Sequence, residues 1–163
     1  AFGGLQIGLD AERTTWAPGE NLVFSVRARN VGEEPLVLEL FHTEWFHRIR
    51  FESLDGQADW DGGAGAFGDY TELPTSTLEP GQAWSAKAEP YDGERRYLRI
   101  IPDRQPGDDW DYRDRIPPGR YRITVAYERR APKGLDPRRE GRWFGVATSN
   151  AIDIVIGAPS DPR

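Results

Sequence analysis

Ala17-Pro18-Gly19-Glu20-Asn21-Leu22-Val23-Phe24-Ser25-Val26-Arg27-Ala28-Arg29-Asn30-Val31-Gly32 reads as a turn, a strand and a second turn in succession. Proline presets φ for the second position of a turn and glycine accepts the positive φ of the third, so 17–20 reverses the chain. Leu22, Phe24, Val26 and Ala28 then alternate with residues that include Arg27 and Arg29, the period-two pattern of a strand with one buried face. Residues 30–35, Asn-Val-Gly-Glu-Glu-Pro, turn the chain again.

The same grammar extends in both directions. Leu5, Ile7 and Leu9 alternate before it, and Leu36, Leu38 and Leu40 after it. Apolar positions are even at 36–40 but odd at Ile49 and Phe51, so a continuous strand would flip its faces between them. An irregular segment is therefore expected at His42–His47, ahead of a strand over Arg48–Leu54. Further strands are expected at Trp84–Ala88, Tyr97–Ile101, Tyr121–Tyr127 and Ile152–Ile156, divided by turns at Leu78-Glu79-Pro80-Gly81 and Pro117-Pro118-Gly119.

Composition agrees. The chain has 163 residues, the size of one domain, and glycine (18) and proline (13) make up nearly one residue in five, heavy punctuation for helices and ordinary for strands. We expect one all-β domain over residues 1–156, an antiparallel β-sandwich of seven to nine strands, followed by a tail at 157–163. Two long acidic insertions, 55–72 and 90–118, interrupt it. Loops of this kind carry function more often than the scaffold does.

Several phrases together resemble bacterial immunoglobulin-like modules, among them the intracellular-proteinase-inhibitor type and related exported domains. They are Pro18-Gly19-Glu20-x-Leu22-x-Phe24-x-Val26-x-x-x-Asn30-x-Gly32, Leu78-x-Pro80-Gly81, Pro118-Gly119-x-Tyr121-x-Ile123 and Thr148-Ser149-Asn150-x-Ile152-x-Ile154. The resemblance covers about Leu5 to Ile156. It implies an immunoglobulin-like sandwich in which Tyr121 is the corner tyrosine, its hydroxyl tied to nearby backbone. It also implies that 17–20, 42–47 and 90–118 share one end, and that 30–35, 55–72 and 129–141 share the other. The second end would set the carboxylates of 55–72 against Arg129, Arg130, Lys133, Arg138 and Arg139.

The chemistry is bounded by what the chain lacks. With no Cys and no Met there is no disulfide, thiolate or thioether ligand and no cysteine nucleophile, a composition that suits oxidising, extracytoplasmic surroundings. A formal charge of −6 is the wrong sign for a phosphate-backbone partner. No apolar run approaches the roughly 18–20 residues of a membrane span. Gly63-x-Gly65-x-x-Gly68 matches a dinucleotide fingerprint by letters alone, since aspartates flank it and Pro74 follows where a helix must begin.

Three clusters remain. His42-x-Glu44-x-x-His47 holds both histidines. In an irregular loop they could share a Zn or Cu ion with Glu44, whereas the plainer reading, which we adopt, is two histidines flanking the aromatic anchors Trp45 and Phe46. Asp-Trp-Asp occurs twice, and Asp59 with Asp61, or Asp109 with Asp111, could hold Ca²⁺, although neither copy has the full spaced-ligand pattern. Trp60 and Trp110 could instead stack on sugar rings, a carbohydrate reading that rests on analogy between sandwich folds. No serine stands in a nucleophile elbow and no carboxylate pair is singled out by spacing. The expectation is a non-enzymatic, exported module acting by protein–protein contact or self-association through exposed strand edges, with a metal-binding module or a proteinase inhibitor as alternatives.

Overall fold

Period-two alternation becomes strand throughout the described part of the chain. The computed structural model describes residues 4–39, 47–61, 75–92, 96–100, 116–129 and 142–157. Within them the strands are β1 (Leu5–Ala11), β2 (Thr15–Trp16), β3 (Phe24–Asn30), β4 (Leu36–Glu39), β5 (His47–Ser53), β6 (Trp60–Asp61), β7 (Thr75–Leu78), β8 (Ala83–Asp92), β9 (Arg96–Ile100), β10 (Gly119–Arg129), β11 (Gly145–Thr148) and β12 (Ile152–Ile156). No helix occurs among these residues. The count exceeds the expected seven to nine because β2, β6, β7 and β11 are two to four residues long, too short to show a period.

One sheet has the order β1-β3-β8-β9. The other runs β2-β12-β10-β5-β6, with β11 also on β10, and β4 pairs with β7 apart from both. Among the described strands all pairings are antiparallel except β2 on β12, where Val155 faces Thr15 and Ile156 faces Trp16; an isolated bridge between Val37 and Arg142 is also parallel. The two main sheets enclose one core. Ile7, Leu9, Phe24, Val26 and Ala28 come from the first, and Ile49, Phe51, Tyr121, Ile123, Val125 and Ile154 from the second. Aromatic rings run through its middle, with centroids 6.0 Å apart for Trp16–Phe24, 6.3 Å for Phe24–Phe51 and 6.1 Å for Phe51–Tyr121. Tilted and edge-on pairs at this spacing are the favoured aromatic geometry.

Two turns form as the Pro-Gly steps require. Glu20 N donates to Ala17 O at 3.2 Å and Gln82 N to Glu79 O at 2.9 Å. Gly19 and Gly81 both sit at φ +80°, where a side chain would be strained. Tyr121 is fully buried and its hydroxyl donates to Pro117 O at 2.7 Å, the tie expected of a corner tyrosine. Burial, followed by the charge of Asp55, pushes that hydroxyl above its ordinary pKa, so it stays a donor.

The expected distribution of loops between the two ends needs correction. Gly119 opposes Ile156, which opposes Trp16, and Tyr121 opposes Ser53. Residues 54–59 thus leave β5 at the end that carries 17–20, not the end that carries 30–35. His47 opposes Tyr127, so β5 begins at the other end, close to Arg129. Asp55 and Asp59 therefore lie at the opposite end from Arg129. The expectation counted residues 36–40 as a full pass across the sandwich. In the structure β4 turns aside to pair with β7, so β5 runs opposite to the expected direction, whereas β8, β10 and β12 keep theirs.

Candidate functional site: an open strand edge beside two arginines

The sequence-singled clusters fall largely outside the described residues. His42, Glu44, Asp109, Trp110 and Asp111 are all outside them. His47, Trp60 and Asp61 are described as backbone only, His47 opening β5 opposite Tyr127, and Trp60 and Asp61 forming β6 opposite Phe51 and Arg50. Asp59 is described fully. Its Oδ1 accepts from Ser53 N at 2.9 Å and its Oδ2 from the Arg50 guanidinium at 3.0 Å. The Ser53 N–H first, and Arg50 second, hold its carboxyl below the usual range, so in this structure it closes the turn after β5. Among the described residues no three potential metal ligands come together.

A different place stands out. In β11–β12, Ala126 opposes Thr148 whereas Ile123 opposes Ile152, so residues 149–151 face only 124–125 across the ladder. That one-residue excess is a β-bulge, which bends a strand and re-aims a side chain. Ser149 pins it. Its N–H donates to Val125 O at 2.8 Å, its Oγ accepts from Val125 N at 3.0 Å and donates to Asn150 O at 2.7 Å. The re-aimed side chain is Asn150, which crosses to the other sheet. Its Oδ1 accepts from Leu9 N and its Nδ2 donates to Leu9 O, both at 2.9 Å. The primary amide thus imitates one peptide unit of a neighbouring strand on the free edge of β1.

That clamp reveals which backbone groups of β1 point outward. Leu9 faces Val26 and turns its N–H and C=O away from β3, towards Asn150. At the start of the ladder Val31 N donates to Gly4 O, so the even positions of β1 bond to β3. Antiparallel pairs alternate in this way, and the N–H and C=O of Leu5 and Ile7 therefore point to the open side. β1 pairs with no other described strand. Leu9 is covered by Asn150, while no described residue pairs with the outward groups of Leu5 and Ile7.

A groove of about 380 Å³ runs along this edge, bounded by Gln6, Ile7 and Gly8, by Arg27 and Arg29, and by the bulge at 148–150. Arg27 and Arg29 stand on the outer face of β3, both exposed, opposite Gly8 and Gln6 respectively. Neither guanidinium shares an ion pair or hydrogen bond with a described residue. Lys87, on the same face of β8, is by contrast paired with Glu12. Gly8 supplies the gap between Arg27 and the edge, since a Cβ there would sit 3.7 Å from the Arg27 Cβ in ordinary contact. The arrangement offers a donor and an acceptor to an extended backbone, and two guanidinium groups to an anion beside it. Sequence reading placed the arginines on an outer face but missed the groove. Its one local signal was a glycine in the middle of a strand, which often marks close approach by another backbone.

No protein-family model matches the chain, and no curated protein matches it. Among solved structures it is similar to a β-glucosidase from Listeria innocua in complex with gluconolactone (9% identity, TM-score 0.42, covering 96% of this chain and 16% of that one). It is also similar to the sporulation control protein Spo0M from Bacillus subtilis (11% identity, TM-score 0.40, covering 96% and 51%). A third is AvmM, described as catalysing macrocyclization in alchivemycin A biosynthesis (12% identity, TM-score 0.39, covering 98% and 91%). The chain spans 16% of the glucosidase's length, and no functional statement follows from these likenesses.

Proposed function

We propose that this chain is a non-enzymatic, immunoglobulin-like module that works by protein–protein contact, and that the open edge of β1 is where contact is made. The strand order, the parallel pairing of β2 with β12 and the tie from Tyr121 to Pro117 support the immunoglobulin-like reading. The observation that carries the functional reading is the edge itself. Strand edges are ready-made templates for another chain and are ordinarily covered, twisted away or charged. Here Asn150 covers Leu9, while the backbone groups of Ile7, in the floor of the groove, and of half-buried Leu5 have no described partner. Binding by strand addition gains affinity from the main chain and selectivity from alternate side chains.

The test is titration of the isotopically labelled protein with short, blocked peptides rich in β-branched residues, followed by amide chemical shifts. Shifts concentrated at Leu5–Leu9 are expected. Peptides that leave β1 unmoved at millimolar concentration, or that map elsewhere, would overturn the reading.

A further inference from the structure

The groove beside β1 says what kind of segment would fit. We propose that the edge of β1 accepts an extended, acidic peptide segment, with a partner carboxylate reaching across Gly8 to Arg27 and a second one to Arg29. This rests on the strand-addition reading above and adds the chemistry of the partner.

The geometry follows from strand spacing. Neighbouring strands lie about 4.8 Å apart, so a strand added outside β1 would run roughly 10 Å from β3. A long arginine from one side and a glutamate from the other close that span if nothing stands between them. Opposite Arg27 the intervening residue is Gly8, with no side chain to stand there. Opposite Arg29 it is Gln6, an exposed amide that hydrogen-bonds a carboxylate as readily as water. Side chains of an added strand alternate between faces, so only every second partner residue meets the arginines. The recognised pattern is thus an acidic residue at alternate positions, with apolar or β-branched residues between them.

Charge selects this occupant over the alternatives. The two guanidinium groups share no ion pair with described residues, whereas Lys87 on the same face is neutralised by Glu12. A basic segment would meet like charge at the groove, and a neutral one would leave both arginines without a counter-charge. The chain's charge of −6 makes a cationic groove a local exception on an acidic protein, which directs an acidic segment to this edge.

The experiment compares three blocked peptides that alternate valine with glutamate, glutamine or lysine, titrated into the wild-type chain, the Arg27→Gln/Arg29→Gln double variant and Gly8→Thr. Gly8 is not at positive φ and a Cβ fits beside Arg27, so the threonine variant is expected to fold, and its melting temperature checks this. The glutamate peptide is expected to bind wild type about tenfold more tightly than the glutamine peptide, a ratio that shrinks with added salt. The double variant should lose this preference while holding the glutamine peptide within about twofold of wild type. Gly8→Thr should lose only the part that depends on Arg27, leaving a preference of about threefold, because the hydroxyl and methyl fill the path to Arg27 and leave that to Arg29 open. Equal binding of the glutamate and glutamine peptides to wild type, or tighter binding of the lysine peptide, overturns the acidic-segment proposal and leaves strand addition standing. If none of the three shifts the β1 amides, strand addition falls as well.

Discussion

Replacing Phe51 by alanine is expected to lower stability by about 3–5 kcal/mol, the range for deleting a buried aromatic ring. The ring is completely buried, and it stands edge-on to Phe24 of the opposite sheet and to Tyr121 of the neighbouring strand. Removing it leaves a cavity between the sheets and breaks the only aromatic link between Phe24 and Tyr121 among the described ring contacts. Neighbouring strands are held by their ladders, so collapse into the space is limited and the cost lies towards the upper part of the range. In urea denaturation the midpoint should fall sharply with little change in slope. Phe51→Leu, which keeps most of the volume, should cost far less. A loss below about 1 kcal/mol for the alanine variant would mean that the sheets do not share this core.

Asn30→Ala is expected to cost roughly 2–4 kcal/mol for a different reason. Asn30 is the one buried polar residue of the described chain. Its Nδ2 donates to Glu34 O at 2.7 Å and to Leu78 O at 2.9 Å, and its Oδ1 accepts from Gly32 N at 2.9 Å. Its backbone completes the junction, with N donating to Gln82 O and O accepting from Gly81 N. One side chain therefore ties the turn after β3 to the end of β7. Alanine removes all three side-chain bonds and strands the carbonyl of Leu78 in a buried place, where an unmet acceptor costs about 1–3 kcal/mol by itself. Asn30→Asp separates the contributions, because an ionised carboxylate still accepts from Gly32 but cannot donate to Glu34 or Leu78. It should be nearly as damaging as alanine at neutral pH. If aspartate were harmless, the two donated bonds would not be what holds the junction.

The strands that the sequence announced are those long enough to show a period. Leu5–Leu9, Phe24–Ala28, Ile49–Phe51, Tyr121–Tyr127 and Ile152–Ile156 all alternate, and all are strands with the expected faces inward. Pro18-Gly19 and Pro80-Gly81 announced their turns because so few residues tolerate those dihedrals. The two-residue strands were invisible, since two residues have no period. The sideways path of β4 was invisible for another reason: Leu36 and Leu38 alternate in the same way whether their strand crosses the sandwich or not. The candidate site was the least legible part. Arg27 and Arg29 are readable as outward residues, but nothing local says that Asn150, more than a hundred residues away, will clamp Leu9 and stop short of Ile7. That depends on the bulge at 149–151, a register shift seen only once both partner strands are placed.

Amide hydrogen exchange along β1 tests the open edge most directly. The amides of Gln6 and Gly8 point to β3 and should exchange slowly, as should Leu9, whose N–H is held by Asn150. Ile7, pointing into the open groove, should exchange much faster than either neighbour. In Asn150→Ala the protection of Leu9 should be lost while that of Gln6 and Gly8 persists. An Ile7 amide as slow as Gly8 in the wild-type protein, or a Leu9 amide indifferent to the loss of Asn150, would show that the edge is already covered and would contradict the account.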